Sequence, residues 1–141
     1  MTDDRGGNYG LVQGYIALVG IVLAVAGLLA FINPNPLTGT DGLLKANIVH
    51  GILHLLTGAL ALYIAFALNG ESQANGVIAF GVVNALIFVL VLLSPNLFGL
   101  FDPVPANGAD HALHGALCFF SLLLGYLVKA SSRPTETVVT R

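Results

Sequence analysis

Charge is what this sequence has least of. Five Lys/Arg and seven Asp/Glu amount to 9% of 141 residues, where a soluble domain carries about 25%. So few charges cannot cover a globular surface in water. The net charge of −2 leaves no basic footprint for nucleic acid. A single cysteine, Cys118, excludes an internal disulfide and a cysteine-based zinc site. Catalytic signatures are missing as well. No Gly-x-Ser-x-Gly, no Ser/His/Asp spacing and no Glu-x-x-His carboxylate pair occurs. Four histidines are too few for the histidine-rich membrane oxygenases. An enzyme is therefore not the expected reading.

What the chain has instead is apolar length. It is 56% hydrophobic, with a mean hydropathy of +0.88. Leu11 to Ile32 runs for 22 residues without a charge, enough at ~1.5 Å per residue to cross a ~30 Å hydrocarbon core. Ala24-Val25-Ala26 imitates a signal-peptide cleavage site, but it lies inside the run, and the run is too long for such a peptide. Gly10, Gly14, Ala17, Gly20, Ala24 and Gly27 form a small-residue seam suited to close helix packing. The prolines of Asn33-Pro34-Asn35-Pro36 end this helix.

Similar punctuation, Asn69-Gly70 and Ser94-Pro95-Asn96, divides the rest. The expected organisation is a polar lead over 1–8, a transmembrane domain over 9–130 and a polar tail over 131–141. Helices are expected at about 11–32, 45–68, 76–93 and 110–128, with Leu97 to Asn107 as an apolar loop at the membrane surface or folded back onto the bundle. The fold class is all-α: an integral membrane four-helix bundle. Basic residues are Arg5, Lys129, Arg133 and Arg141 at the end holding both termini, against Lys45 alone at the other. The positive-inside rule then gives a multi-pass cell-membrane protein with both termini cytoplasmic.

Polar residues inside apolar runs need partners, which makes each a functional candidate. Asn47, His50 and His54 recur at helical spacing, so one face presents all three. Asp110, His111 and His114 open the fourth helix, and Asn84 stands alone in the third. The two halves look alike. Asn47-x-x-His50-Gly51 matches His111-x-x-His114-Gly115, 64 positions on, which pairs His54 with Cys118 and makes two tandem helical hairpins a plausible architecture.

The pattern N-x-x-H-x-x-x-H-x-x-x-G (Asn47, His50, His54, Gly58), followed by N-x-A-D-x-x-L-H (Asn107, Ala109, Asp110, Leu113, His114), resembles a family of small four-helix membrane proteins of unknown function. The resemblance covers roughly Tyr9 to Val128. The chain departs from that pattern at Gly51 and at His111, where the family often has Asn. The resemblance implies a fold and a membrane location, and no activity.

Two functional readings follow. In one, the chain is a non-enzymatic membrane component. Asn47, Asn84 and Asp110 are structural polar residues, capping helices or bridging them, and the histidines hold the bundle in register. In the other, the clusters bind a cofactor. His50, His54, His111 and His114 are candidates for a bis-histidine haem, and the same four with Asp110 for a transition metal. The partner in either case is the lipid bilayer. The glycine seam would also serve self-association or contact with another membrane protein.

Overall fold

The structure, a computed structural model, describes residues 5–32 and 34–132. Four helices dominate it: α1 (Arg5–Leu29), α2 (Ile48–Ala67), α3 (Gly70–Leu93) and α4 (Gly108–Ser131). Each contains a stretch long and apolar enough to cross a membrane. The fold is the expected all-α four-helix membrane bundle. Its outward faces carry exposed leucine, valine and phenylalanine, including Leu18, Leu56, Leu86 and Phe119, which suits lipid and not water. Most of the polar lead and tail, together with Asn33, Arg133 and Arg141, lie outside the described residues.

Helix ends are set by side chains that take up backbone groups the helices leave unpaired. Asn35 Nδ2 donates to Leu29 O at 2.8 Å and Ile32 O at 2.6 Å, and also to Thr38 O. Its Oδ1 accepts from Leu37 N and Thr38 N. This ties off α1 at Leu29, three residues before the expected end. α3 begins at Gly70, six residues before its expected start. The buried Gln73 explains the difference: its Nε2 donates to Ile64 O and Ala65 O in the last turn of α2 and to Leu68 O, at its C-cap. The loop between α1 and α2 contains a short parallel pairing of β1 (Thr38–Gly39) with β2 (Leu44–Lys45).

α1 packs tightly on α2, and α3 on α4, while contacts between these two hairpins are sparser. The hairpins are built alike. A Cβ on Gly20 would lie 2.7 Å from Leu62 Cγ, and one on Gly81 2.9 Å from Leu122 Cγ. Asn47 caps α2 and Asn107 caps α4. These equivalences set the register of the repeat. Asn47, His50, His54 and Leu62 correspond to Asn107, Asp110, His114 and Leu122, 60 positions on. This corrects the register of 64, which paired His54 with Cys118. The two alternatives differ by four residues, about one helical turn, so both keep the same face inward and the apolar pattern cannot separate them. The caps can, because each helix has only one first turn.

Only part of the glycine seam on α1 is used for close packing. Gly20 and Gly27 lie against α2, and Gly58 and Gly51 lie against α1 in return. Gly10 and Gly14 have nothing within 4 Å of a would-be Cβ. At Gly58 the atoms met are backbone, Ala24 N at 2.8 Å and Gly20 O at 3.0 Å, and backbone cannot rotate away. Gly58→Leu is therefore expected to force α1 and α2 apart and to destabilise the protein by about 1–3 kcal/mol, the usual range for overpacking. Gly14→Leu is expected to be near neutral. Thermal unfolding of both variants in detergent checks the contrast.

Candidate functional site

The site forms where the first turns of α2 and α4 meet the loops that precede them. Asn47 Oδ1 accepts from His50 N at 2.9 Å, which starts α2 and fixes the direction in which His50 leaves it. Asn47 Nδ2 reaches across to Leu100 O and Asp102 O in the loop of the second hairpin. Asn107 mirrors it. Its Oδ1 accepts from Ala109 N and Asp110 N, and its Nδ2 donates to Leu43 O in the loop of the first hairpin. Each cap thus holds its own helix and the opposite loop, the reciprocity expected of a two-fold relation.

Asp110 completes a capping box on α4 by accepting Asn107 N at 2.7 Å. The same oxygen accepts Lys45 N at 3.2 Å, from the first hairpin. Lys45 then offers its carbonyl to the ring of His50, whose Nδ1–H donates at 2.9 Å. A carbonyl can only accept, so this contact fixes the tautomer: Nδ1 is protonated and Nε2 is left with its lone pair. Phe101, from the loop before α4, stacks on the other side of His50 with ring centroids 4.4 Å apart and planes 11° apart. The apolar loop therefore folds back onto the bundle, burying Phe101 with Val91 and Ala106.

His54 lies one turn along α2, with its ring centroid 4.5 Å from that of His50. His114, its equivalent in α4, places its centroid 6.1 Å from His54 and 6.3 Å from His50. One ring nitrogen from each of these three histidines lies within 4.8 Å of the others. All three side chains are buried, with 2%, 2% and 6% exposure for His50, His54 and His114. Beside them is a cavity of about 180 Å³. Leu23 and Asn84, each three residues after the equivalent glycines Gly20 and Gly81, both line it.

Six buried side-chain atoms among the described residues have no hydrogen-bond partner in the protein. They are His50 Nε2, both ring nitrogens of His54, His114 Nδ1, Asp110 Oδ1 and His111 Nδ1. An unsatisfied buried polar group typically costs about 1–3 kcal/mol. Four of the six belong to His50, His54 and His114, and groups left unpaired in this way call for an explanation.

The sequence candidates are thus divided by the fold. His50, His54 and His114 come together, while His111 stands outside the group and Asp110 is engaged with backbone amides. Asn47 is a helix cap that also bridges to the opposite loop. Asn84 donates to Phe80 O of its own helix at 2.9 Å and faces the cavity, so its placement is different from the interhelical bridge considered for it. Phe101 and the Lys45 carbonyl are site elements that the sequence motifs do not reveal. An aromatic in a Pro/Gly-rich loop, two residues before Pro103, was the available signal for the former.

Asn107→Asp keeps an acceptor for the first turn of α4 but loses the donation to Leu43 O, whereas Asn107→Ala loses both. The alanine variant is expected to cost about 1 kcal/mol or more, the aspartate variant less, and both are expected to speed hydrogen exchange in the 37–46 loop. Comparison with protein-family models, with curated proteins and with solved structures gives no match for this chain.

Proposed function

We propose that this multi-pass membrane protein binds one transition-metal ion through His50, His54 and His114. The observation that carries this reading is the convergence of three buried imidazoles, each with at least one buried ring nitrogen that has no partner in the protein. Neutral imidazole is the commonest ligand for zinc and copper. The His50–Lys45 hydrogen bond acts as the outer support that such ligands usually have, orienting the ring and leaving Nε2 free. Around a tetrahedral ion with metal–nitrogen bonds of ~2.0 Å, ligand nitrogens stand about 3.3 Å apart. A separation within 4.8 Å needs only a modest inward movement of the rings.

The chemistry of the donor set favours zinc or copper over harder ions, which prefer oxygen. Three neutral ligands leave the ion's charge uncompensated in an apolar setting. The buried Asp110, linked to His50 through Lys45, supplies the nearest compensation. Three protein ligands also leave a fourth position open, as in catalytic and transport sites and unlike closed structural ones.

The alternative that these residues only hold the bundle together accounts well for Asn47, Asn107 and Asp110. It does not account for His54, whose two ring nitrogens are buried and unpaired. Haem is disfavoured on size. The histidine rings are in mutual contact, and a tetrapyrrole plate far exceeds a cavity of about 180 Å³. The four-helix family resemblance and the cytoplasmic placement of both termini are part of the same proposal. They rest on the His/Asn/Asp motifs and on the basic residues at the terminal end. The metal site would then lie in the outer half of the membrane.

Elemental analysis and zinc titration of the purified full chain test this. About one ion per chain is expected, with affinity falling more than ~100-fold in His54→Ala and His114→Ala, since even supporting residues of a metal site are worth 10–100-fold. His111→Ala is expected to keep the ion. Zinc at about 100 times its Kd is expected to stabilise the fold by ~2.7 kcal/mol in the parent chain and not in His54→Ala. Equal, weak zinc uptake by the parent and all variants would contradict the proposal.

A further inference from the structure

The cavity beside the histidines has a direction. Its inner wall is buried: His54, His114, Asn84 and Phe101 are all within 6% exposure. Its half-exposed lining lies elsewhere, with Leu53 and Thr57 on α2, Ile87 and Leu90 on α3 and Leu97 in the loop that follows α3. Leu53 is 36% exposed. The mouth therefore lies between α2 and α3, helices from different hairpins that touch each other little. Leu53 and Thr57 are the sixth and tenth residues of α2, which places the mouth about 8–15 Å below the helix start. With the start of α2 at the membrane surface, the mouth faces hydrocarbon and suits a ligand dissolved in the bilayer.

The lining restricts what that ligand is. No Lys, Arg, Asp or Glu borders the cavity, so a charged headgroup would be left without a partner. An acyl chain would fill the apolar part and leave the imidazole nitrogens unpaired. A six-membered ring bearing oxygen answers both demands. The volume of about 180 Å³ is close to that of a ~150 Å³ cavity able to hold benzene. At the inner end, His54 and His114 present unpartnered ring nitrogens. Asn84 uses one N–H of Nδ2 on Phe80 O, leaving its second N–H as a donor and Oδ1 as an acceptor, and Phe101 contributes an aromatic wall.

We infer that this cavity binds the headgroup of a neutral lipid-soluble quinone or phenol, admitted between α2 and α3, with its oxygen at the histidine end and its tail in the bilayer. Binding does not require the ion. An imidazole N–H donates to the oxygen in the metal-free protein, and the same oxygen fits the open position when the ion is present. The ligand and metal proposals therefore stand or fall separately.

The test is photolabelling of the full chain in detergent with a short-tailed ubiquinone carrying an aryl azide, with and without zinc, followed by peptide mapping. Label is expected on the α2 segment around Leu53 to Thr57 or the α3 segment around Ile87 to Leu90, and excess decylubiquinone is expected to compete it away. Leu53→Trp and Leu90→Trp, which crowd the mouth from lipid-facing positions and leave the histidines in place, are expected to lower labelling at least five-fold while zinc content is retained. Leu127→Trp, on a distant exposed face, serves as the control and is expected to label normally. Label spread over the lipid-facing surfaces of all four helices, label that decylubiquinone does not compete, or label indifferent to the two mouth variants would overturn the inference. A chain that binds zinc without competed labelling retains the metal reading alone, and competed labelling without zinc retains the quinone site alone.

Discussion

The backbone of Lys45 is the junction on which the site depends. Its N–H is held by Asp110 of the second hairpin, and its carbonyl holds the ring of His50 in the first. One residue thereby couples the docking of the hairpins to the orientation of a histidine. The coupling requires Asp110 to remain buried, and the capping box keeps it there by engaging the same carboxylate oxygen with Asn107 N. Burial of Asp110 and His50 limits competition from water, and a carboxylate accepting backbone amides is among the stronger hydrogen-bonding arrangements. Loss of this junction would remove the hydrogen bond that orients His50 and leave the loops held by the Asn47 and Asn107 bridges alone.

The repeat explains why a site arises at this place. His54 and His114 are equivalent residues, and they meet because each hairpin points the same face inward at the same depth. His50 and Asp110 are also equivalent, and here the halves have diverged. One supplies an imidazole to the centre and the other supplies the carboxylate that steadies it. Leu23 and Asn84 diverge in the same way, one giving the cavity an apolar wall and the other a polar one. A symmetric scaffold with asymmetric occupants yields three imidazoles and one carboxylate. The cavity beside them is lined from α2 and α3, which pack thinly because they belong to different hairpins.

Much of this was legible in the sequence, and the limits of legibility are physical. Four long uncharged runs in a chain so poor in charge have few solutions other than spanning helices. The spacing of His50 and His54 places both on one face of α2 whatever the tertiary packing. The sequence does not say which histidine of α4 joins them. His111 and His114 are three residues apart and share a broad face, so only the rotation of α4, fixed by its cap at Asn107, selects His114. The same cap fixes the repeat register, which hydrophobic periodicity leaves open by a full turn. The partner of Phe101 was unreadable for another reason. A loop aromatic declares its partner only once the loop is folded, and the stacking of Phe101 on His50 spans 51 positions of sequence. Gln73 shows the same limit at the helix ends, since a buried glutamine that collects three carbonyls reads in sequence as ordinary linker polarity.

The central claim is that these three histidines, and no others, form a metal centre. X-ray absorption at the zinc edge of the zinc-loaded full chain in detergent addresses it most directly. Ligation by His50, His54 and His114 gives a first shell of low-atomic-number neighbours at about 2.0–2.1 Å, with the outer-shell scattering of three imidazole rings reduced to two in His114→Ala. A shell with sulfur from Cys118, a shell of oxygens without imidazole scattering, or a spectrum unchanged by His114→Ala would contradict it.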